Sequence, residues 1–353
     1  MKALLKRHGF SLSFLLLVLV AAYALQTDKA SAHLHEFGGA TMGTSYRVKV
    51  VDAGESPAAE LLAQEIGELL RHLDRDVMST YAEDSELSKI NKAAVGETLS
   101  LSRSMSEVIG LALEINALTS GAFDVTVGPL VNRWGFGPAH ASAERIPSQA
   151  EIDELLSRVG SHYLQWDSQA STLRKDADVY IDLSGIAKGY GVDQVAEYLD
   201  SRGFANYFIE VGGELRIKGY KPGNVSWVPA IETPVDSAPQ VYEVFYAKGQ
   251  SIAVAGSGDY RNYFDVDGVH YSHEIDPASG RPATHNLAAV YVIAATAARA
   301  DALATAFMVM GVEQGFALAQ QNGLAAYFIM KSETEAGFDE LYSSGFAAFL
   351  SPD

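Results

Sequence analysis

Cysteine is missing from this chain of 353 residues, and basic residues are few. Without cysteine the protein can have no disulfide, thiolate zinc site, catalytic thiol or lipid-modified cysteine. The 26 Lys and Arg residues against 44 Asp and Glu residues give a net charge of -18. This balance argues against a nucleic-acid partner, because clustered Lys and Arg bind phosphate backbones. An anionic ligand would need a local device, such as a helix N-terminus, a well-placed lysine or a divalent cation.

The N-terminus has the order of an export signal. Basic residues precede an apolar run over residues 14–25, and Ala30-Ser31-Ala32 then offers a small-x-small cleavage site. The run is short for a membrane span, although left uncleaved it could serve as a single anchor. We therefore expect residues 1–32 to be a signal peptide or membrane anchor. The protein would then be periplasmic or held at the inner membrane.

The remaining chain has the composition and patterning of a globular protein, with 48% hydrophobic residues. Apolar alternation predicts strands over residues 45–51, 178–183, 207–211, 227–232, 242–246 and 288–294. Helical spacing predicts helices over residues 58–73 after Pro57, 104–118, 149–159 after the N-cap Ser148, 189–201 and 298–310. Gly212-Gly213 suggests a hairpin turn. The mixture predicts an α+β (mixed α/β) fold in one continuous domain over residues 33–353, of one or two lobes.

The first chemical motif is Asp182-Leu183-Ser184-Gly185-Ile186-Ala187-Lys188-Gly189-Tyr190, between a predicted strand and a predicted helix. A glycine turn there lets backbone N–H groups and the helix dipole hold a phosphate, and Lys188 adds a positive charge. Asp182 could accept hydrogen bonds from a ribityl, ribose or adenine group. The alternative is a capped strand-to-helix turn with a solvated lysine. The spacing is not that of a Walker motif.

A second motif is the stiff turn that follows His273. The run Asp276-Pro277-Ala278-Ser279-Gly280-Arg281-Pro282 fixes its backbone through two prolines. His273 can exchange a proton near neutral pH, so it could act as a general acid or base in phosphoryl transfer. The alternative is a strand histidine that is hydrogen-bonded to Asp276 for structural reasons.

A third motif pairs Asp301 with Thr305 in an apolar helix. Positions i and i+4 share one helix face, so the carboxylate and the hydroxyl could ligate one hard cation. Mg²⁺ prefers a sparse oxygen set that waters and substrate phosphates complete. The alternative is an acid that favours the helix dipole and a threonine that bonds back to the preceding turn.

Glycine turns and aromatic residues alternate over residues 120–137, which suits a flat ring system. Met42 and Tyr81 could flank such a ring. The alternative for the aromatic residues is ordinary core packing. It applies to Phe123, Trp134 and Phe136.

These motifs and several others follow one another in a fixed order. The segments are residues 41–44, 79–81, 84–87, 121–126, 182–190, 210–214, 257–260, 273–282 and 301–305. Their order resembles the ApbE family of flavin transferases over about residues 41–331. The resemblance is far more specific than any one motif.

The resemblance implies a T-fold-like domain with FAD:protein FMN transferase activity. Such an enzyme splits the FAD pyrophosphate, releases AMP and links FMN by a phosphoester to Thr or Ser of a target flavoprotein. The targets resemble subunits of sodium-pumping NADH:quinone oxidoreductases and related membrane electron-transport complexes. Two other readings remain open, namely an FAD pyrophosphatase that yields FMN and AMP, and a non-enzymatic flavin carrier.

The resemblance also implies roles for particular residues. His273 would be the base that deprotonates the acceptor hydroxyl. Mg²⁺ would be held by Asp301, Thr305 and the carbonyl group of Gly185. The implied FAD contacts are Met42, Tyr81, Ala122, Phe123, Asp124, Asp182, Lys188 and the backbone near Ile275.

The sequence departs from the family pattern in three places. Residues 251–256 carry what looks like a two-residue insertion, so we expect a loop of different shape there. Glu274 stands where an aliphatic residue is usual and adds a negative charge beside His273. Many relatives carry a lipobox cysteine, and this chain has none, so any tether would be the N-terminal helix itself.

Overall fold

A computed structural model describes residues 32–52, 59–137, 146–235, 240–260, 262–332 and 337–352. The predicted leader lies outside these residues apart from its last position, Ala32. Pro57 and Ala58, at the predicted start of the first helix, also lie outside them.

The strands are numbered in chain order: β1 His33–Thr41, β2 Thr44–Asp52, β3 Thr98–Ser100, β4 Leu164–Asp167, β5 Thr172–Lys175, β6 Tyr207–Val211, β7 Glu214–Lys221, β8 Val225–Ser226, β9 Ala230–Glu232, β10 Val241–Val244, β11 Gly249–Gly258, β12 Tyr263–Val266, β13 Val269–Ser272, β14 Ile275–Asp276, β15 Arg281–Pro282, β16 Leu287–Ala294, β17 Ala325–Lys331 and β18 Phe338–Tyr342.

The helices are numbered in the same way: α1 Ala59–His72, α2 Glu86–Lys92, α3 Arg103–Leu118, α4 Gly128–Arg133, α5 Gln149–Leu156, α6 Ala187–Ser201, α7 Ala297–Gln321 and α8 Ser344–Ala347. A π-helical turn over Leu73–Val77 follows α1, and a 3-10 turn over Ser161–Tyr163 precedes β4.

The main sheet is antiparallel, with the strand order β1-β2-β6-β7-β11-β16-β17-β18 and β8 beside β7. Consecutive strands pair in β1–β2, β6–β7, β7–β8 and β17–β18, whereas β2 pairs with β6 from far along the chain, so that Tyr46 faces Val211. Alternation sets the two faces: in β16, Val290 and Val292 are buried in one core and Ala289 and Ile293 in the other. The sheet therefore separates two apolar layers.

Helices α6 and α7 pack on the sheet and on each other. Among the described residues, α7 is long and apolar enough to cross a membrane by length and composition alone. Half of its most apolar stretch is buried, and it packs against β11, β16 and β17, as expected of a core helix. The carboxylate of Asp193 in α6 accepts the N–H groups of Ala297 and Ala298, both at 2.8 Å, which caps the start of α7.

The predicted α+β (mixed α/β) class is confirmed. The predicted strand over residues 45–51 lies within β2, and the strand over residues 207–211 coincides with β6. The Gly212-Gly213 turn joins β6 to β7 as predicted. Ser148 caps α5 in a full capping box with Glu151, so the sequence signal for that helix start is confirmed as well.

The strand predicted over residues 178–183 is wrong. Val179, Ile181 and Leu183 are all buried, which gives the alternation of a strand, but no strand pairs with this segment in the described chain. The side chain of Asn91 takes the place of a neighbouring strand by accepting from Ile181 N at 2.7 Å and donating to Ile181 O at 2.9 Å. Period-two burial therefore does not require a ladder.

Several predicted boundaries are also wrong. The helix predicted over residues 149–159 ends at Leu156. The strand predicted over residues 227–232 is confined to β9, because Pro229 has no N–H group to donate to a ladder. The helix predicted over residues 298–310 continues to Gln321, since Gly311 (φ 72°, ψ 175°) interrupts it without ending it.

The prediction of a loop over residues 251–256 is also wrong. The segment is part of β11, whose pairing with β7 is irregular between Gly249 and Ile252.

Gly189 allows the starts of α6 and α7 to touch. A β-carbon at this position would lie 2.4 Å from the carbonyl oxygen of Ala297 and 2.7 Å from Cα of Ala298. Both are backbone atoms, which cannot move aside as a flexible side chain can. The close approach brings the first turn of α6 against the first turn of α7.

We predict that Gly189→Ala destabilises the protein by about 3 kcal/mol, because overpacking against backbone forces the two helices apart. The free energy of unfolding in urea is the measurement. Gly67→Ala in α1 is the matched control, since a β-carbon there would meet only the Tyr46 hydroxyl at 3.3 Å. The control should stay within about 1 kcal/mol of the parent protein. Equal stability of Gly189→Ala and the parent would contradict the proposed close contact.

Candidate active site

One cavity of about 1270 Å³ opens beside α6 and α7. Its wall is built from turns and helix starts that lie far apart in the sequence. All the site residues suggested by the sequence line it: Met42, Tyr81, Ala122, Phe123, Asp124, Asp182, Gly185, Lys188, His273, Ile275, Asp301 and Thr305. The fold thus brings the three separate motifs to one place, although this placement alone leaves their chemical roles as predictions.

Lys188 lies between two buried carboxylates at the centre of this cavity. Its Nζ is 3.2 Å from Oε1 of Glu214 and 3.6 Å from Oδ2 of Asp301. The N–H group of Gly189 donates to the same Asp301 oxygen at 3.1 Å. Gly212 makes room for the lysine stem, because a β-carbon there would lie 3.2 Å from Lys188 Cδ. The ammonium group is therefore held in place by two carboxylates, although 28% of the side chain is exposed.

Burial and neighbouring charges shift the pKa of all three groups in this cluster. Burial lowers the pKa of Lys188, but Asp301 and Glu214 outweigh that effect and raise it above its ordinary value. Burial raises the pKa of Glu214 to about 8, against the opposing effect of Lys188. Burial also raises the pKa of Asp301. One ammonium group thus faces two carboxyl groups, which favours binding of a further cation or proton.

Thr305 completes a set of oxygen donors next to Asp301. A β-carbon on Gly185 would be 3.1 Å from Thr305 Oγ1, so the Gly185 backbone lies directly against the hydroxyl. Across the described residues, no cluster of three or more His, Cys, Asp or Glu side chains could hold a metal. A cation here would therefore use a carboxylate, a hydroxyl and a carbonyl together. These are the hard donors that Mg²⁺ accepts, so the residues present fit the ion.

The end of the cavity near the β1–β2 turn is suited to a flat ring. Met42 has a positive φ of 48° and is held by its N–H group, which donates to Asp74 Oδ2 at 3.0 Å. Tyr81 is 75% exposed, so its ring is free to cover a ligand. Phe123 is buried in the main core and lines the cavity beside Gly185, where a β-carbon would lie 3.2 Å from its Cε2. An exposed tyrosine and a thioether offer a flat ring apolar contact.

The two aspartates of the cavity wall hold loops in place. Asp124 is buried, and its carboxylate accepts from the Thr126 N–H and from the N–H and hydroxyl groups of Ser161 at 2.8–2.9 Å. Its side chain is thus committed to protein groups, which leaves the loop backbone to meet a ligand. Asp182 accepts from the Ser184 N–H at 2.8 Å and shapes the turn before α6.

His273 lines the same cavity and lies just before the stiff turn. Its Nδ1 lies 3.1 Å from the carbonyl oxygen of Asn262 and 3.3 Å from Oε2 of Glu274. Asp276 instead accepts the N–H groups of Ala278 and Ser279 at 2.9 and 3.3 Å. The turn is therefore rigid by itself and does not use the histidine ring.

The aromatic residues of the 120–137 segment divide between core and cavity. Trp134 is a core residue whose Nε1 donates to Gly280 O at 2.8 Å, as the packing alternative predicts. Phe136 stacks on Phe264 with ring centroids 5.3 Å apart, and it also lines the cavity.

Sequence reasoning missed Glu214 as a member of the site. It belongs to the Gly-Gly-Glu segment at the start of β7, but only the β6–β7 pairing turns its side chain toward Lys188. It also missed a basic stretch of the wall. Arg47 and Lys49 pair with Glu36 at 3.5 and 3.6 Å, and Lys221 lies 5.4 Å above the Trp227 ring.

The geometry agrees with the proteins that this chain is similar to. The profile of the ApbE family matches residues 42–328. A Vibrio cholerae protein named FAD:protein FMN transferase is 43% identical over 325 residues, which cover 92% of this chain and 95% of that protein. A Haemophilus influenzae protein of the same name is 38% identical over 336 residues, 94% of this chain and 96% of that protein. The solved structure of the flavin transferase ApbE from Vibrio cholerae is 42% identical, with a TM-score of 0.82 over 90% of this chain and 100% of that one.

We predict that Glu214→Gln changes how stability depends on pH. A raised pKa means that the folded protein holds this proton more tightly than the unfolded chain does. The resulting stabilisation is full below pH 4.5 and is lost as the pH rises toward 8. The parent should therefore lose about 3 kcal/mol relative to Glu214→Gln between pH 5 and pH 8. Urea unfolding at both pH values measures the difference.

Glu60→Gln, at an exposed position in α1, is the control for loss of a carboxylate. Its stability should follow that of the parent across the same range. Parallel curves for the parent and Glu214→Gln would show that burial does not hold a proton on Glu214.

Proposed function

We propose that this chain, which belongs to the ApbE family, is an FAD:protein FMN transferase that moves the FMN half of FAD onto a Thr or Ser hydroxyl group of a target flavoprotein. One observation carries the proposal: a ring-binding end, a set of hard oxygen donors beside a fixed lysine, and a histidine share one cavity. A flavin carrier would need only the first of these. A group transfer uses all three.

The charge of the cavity wall supports a metal ion as part of this activity. The basic lining residues are Arg47, Lys49, Lys188 and Lys221, and acidic lining residues outnumber them. Such a wall repels a pyrophosphate unless a cation is added. We assign Mg²⁺ to Asp301, Thr305 and the Gly185 carbonyl, where the bound ion would neutralise charge on the phosphate oxygens.

The cavity volume supports a second substrate. Pockets for small molecules usually measure about 300–1,000 Å³, and this one is larger. Room therefore remains beside FAD for the segment of a partner protein that carries the hydroxyl group. Met42 and Tyr81 would hold the isoalloxazine ring, and Lys188 would face the phosphates.

The transfer itself needs one bond to form and one to break. The acceptor oxygen forms a bond to the phosphorus of the FMN half, and the bond from that phosphorus to the bridging oxygen breaks. AMP leaves with the bonding electron pair on its phosphate oxygen. His273 takes the acceptor proton on its ring. Phosphoryl transfer of this kind depends on positioning and charge neutralisation, and it requires no covalent enzyme intermediate.

We also propose the setting in which this activity operates. The signal-like order of residues 1–32 supports export to the periplasm or retention at the inner membrane. Target subunits would then belong to membrane electron-transport complexes with flavin domains on the same side, such as those of sodium-pumping NADH:quinone oxidoreductase type.

The direct test incubates the purified protein with FAD, Mg²⁺ and a flavin-acceptor subunit. We expect mass spectrometry to find the acceptor heavier by one FMN residue and an equivalent amount of AMP released. Free FMN and AMP with an unlabelled acceptor would identify a pyrophosphatase instead. Intact FAD would identify a carrier.

His273→Ala is the informative variant in the same assay. It should lower transfer about 100-fold or more, because general-base catalysis contributes at least that much, while FAD still binds. Equal loss of FAD binding and of transfer would argue against a base at this position.

We predict that Thr305→Val and Thr305→Ser separate the metal role of the hydroxyl from its packing role. Valine keeps the shape and removes the oxygen, so the Mg²⁺ concentration for half-maximal AMP release should rise about tenfold or more. Serine keeps the oxygen and should stay near the parent. Binding of Mn²⁺, followed by electron paramagnetic resonance, gives the same comparison without catalysis. Identical metal affinity in Thr305→Val and the parent would remove Thr305 from the site.

A further inference from the structure

Glu274 is a buried acid that the reaction described above does not use. Its side chain is 3% exposed. Neither of its carboxylate oxygens accepts a hydrogen bond of good geometry among the described residues, but Oε2 lies at ion-pair distance, 3.3 Å, from Nδ1 of His273. Burying a carboxylate without a good hydrogen bond costs free energy of folding. A cavity residue with that cost is a candidate for a functional role. Glu274 lines the same cavity as His273.

Two oxygen atoms lie close to the same nitrogen of the His273 ring. Nδ1 of His273 is 3.1 Å from the Asn262 carbonyl oxygen and 3.3 Å from Oε2 of Glu274. The same Asn262 carbonyl accepts the backbone N–H of His273 at 3.2 Å, which fixes the ring relative to the chain. The carbonyl oxygen and the nearby carboxylate both favour a proton on Nδ1. Nε2 then carries the lone pair that can take a proton from a substrate.

Other charged groups surround Glu274. Burial raises the pKa of Glu274, His273 and the Ser272 hydroxyl lower it, and Asp259, just after β11, raises it slightly. Asp259 itself is paired with Lys331 of β17 at 2.6 Å and lies 3.7 Å from Nε2 of His270 in β13. Lys331 is thus engaged with Asp259. The cation that faces Glu274 is therefore the imidazolium that His273 forms when it takes a proton.

From this geometry we infer that Glu274 is a positioning residue for His273. Together with the Asn262 carbonyl it keeps the proton on Nδ1, and it stabilises the imidazolium that forms when Nε2 takes the proton of the acceptor hydroxyl. The inference rests on the proposed FMN transfer. The acceptor oxygen bonds to phosphorus, the bond to the AMP phosphate breaks, and the proton moves to Nε2.

The test compares Glu274→Gln with the parent protein across pH. Gln keeps the size of the side chain and removes its charge, so the protein should stay folded, because replacing a buried carboxylate by a neutral group of the same shape relieves its desolvation. We expect transfer to fall about tenfold. The pH profile of kcat/KM should change, because a carboxylate next to the ring is removed. FAD affinity should not change.

Nitrogen-15 NMR of the His273 ring supplies a readout apart from turnover. We expect the population with the proton on Nδ1 to fall in Glu274→Gln. Glu60→Gln is the control for a lost carboxylate at a distance, and it should match the parent in both measurements. A pH profile and ring spectrum identical to the parent would overturn the role of Glu274. A joint fall in FAD affinity and stability would assign it a structural role instead.

The two proposals fail in different ways. If the parent leaves the acceptor unlabelled, the proposed function is wrong, and with it the catalytic use of Glu274. If the parent and Glu274→Gln both label the acceptor with the same pH dependence, FMN transfer stands and only the inference about Glu274 is lost.

Discussion

The ion cluster of Lys188, Glu214 and Asp301 is the interaction on which the cavity depends. Each member comes from a different element: the start of α6, the start of β7 and the first turns of α7. Buried charges are tolerated only where they neutralise one another, so the three elements must meet within a narrow range of distances. Gly189 and Gly212 provide the space for that meeting. The arrangement also holds Asp301 in the wall of the cavity that Thr305 and Gly185 line.

The cluster is incomplete in charge, with one ammonium group and two carboxyl groups. Two buried acids elsewhere in the described chain are neutralised locally: Asp193 by helix N–H groups and Arg216, and Asp259 by Lys331. Those residues fix structure. The cavity cluster differs because its remaining charge can be balanced from outside by a proton or a metal ion. An acidic protein can in this way accept an anionic cofactor through a cation that arrives with it.

Local sequence predicted the parts of the site better than their contacts. The 182–190 segment, His273 and the Asp301/Thr305 spacing each had a residue-level reason, and all line one cavity. Glu214 had no such signal, since its direction depends on the β6–β7 register and on the crossing of α6 with α7. The false strand over residues 178–183 has a related cause. Burial every second residue was visible in the sequence, whereas the Asn91 side chain that replaces the missing ladder comes from about ninety positions earlier.

The pairing of β2 with β6 has a consequence for how the cavity comes into being. Tyr46 can pair with Val211 only when the chain between them is present. The loop that this pairing closes contains α1 to α6. Closing a long loop adds little to the equilibrium cost, because that cost grows only logarithmically with length, but non-local contacts slow folding. Met42 lies at one end of the cavity lining and Thr305 in a helix beyond β16. The complete cavity wall is thus a property of the whole chain, and an N-terminal fragment that stops before α7 lacks the part of the wall that Asp301 and Thr305 provide.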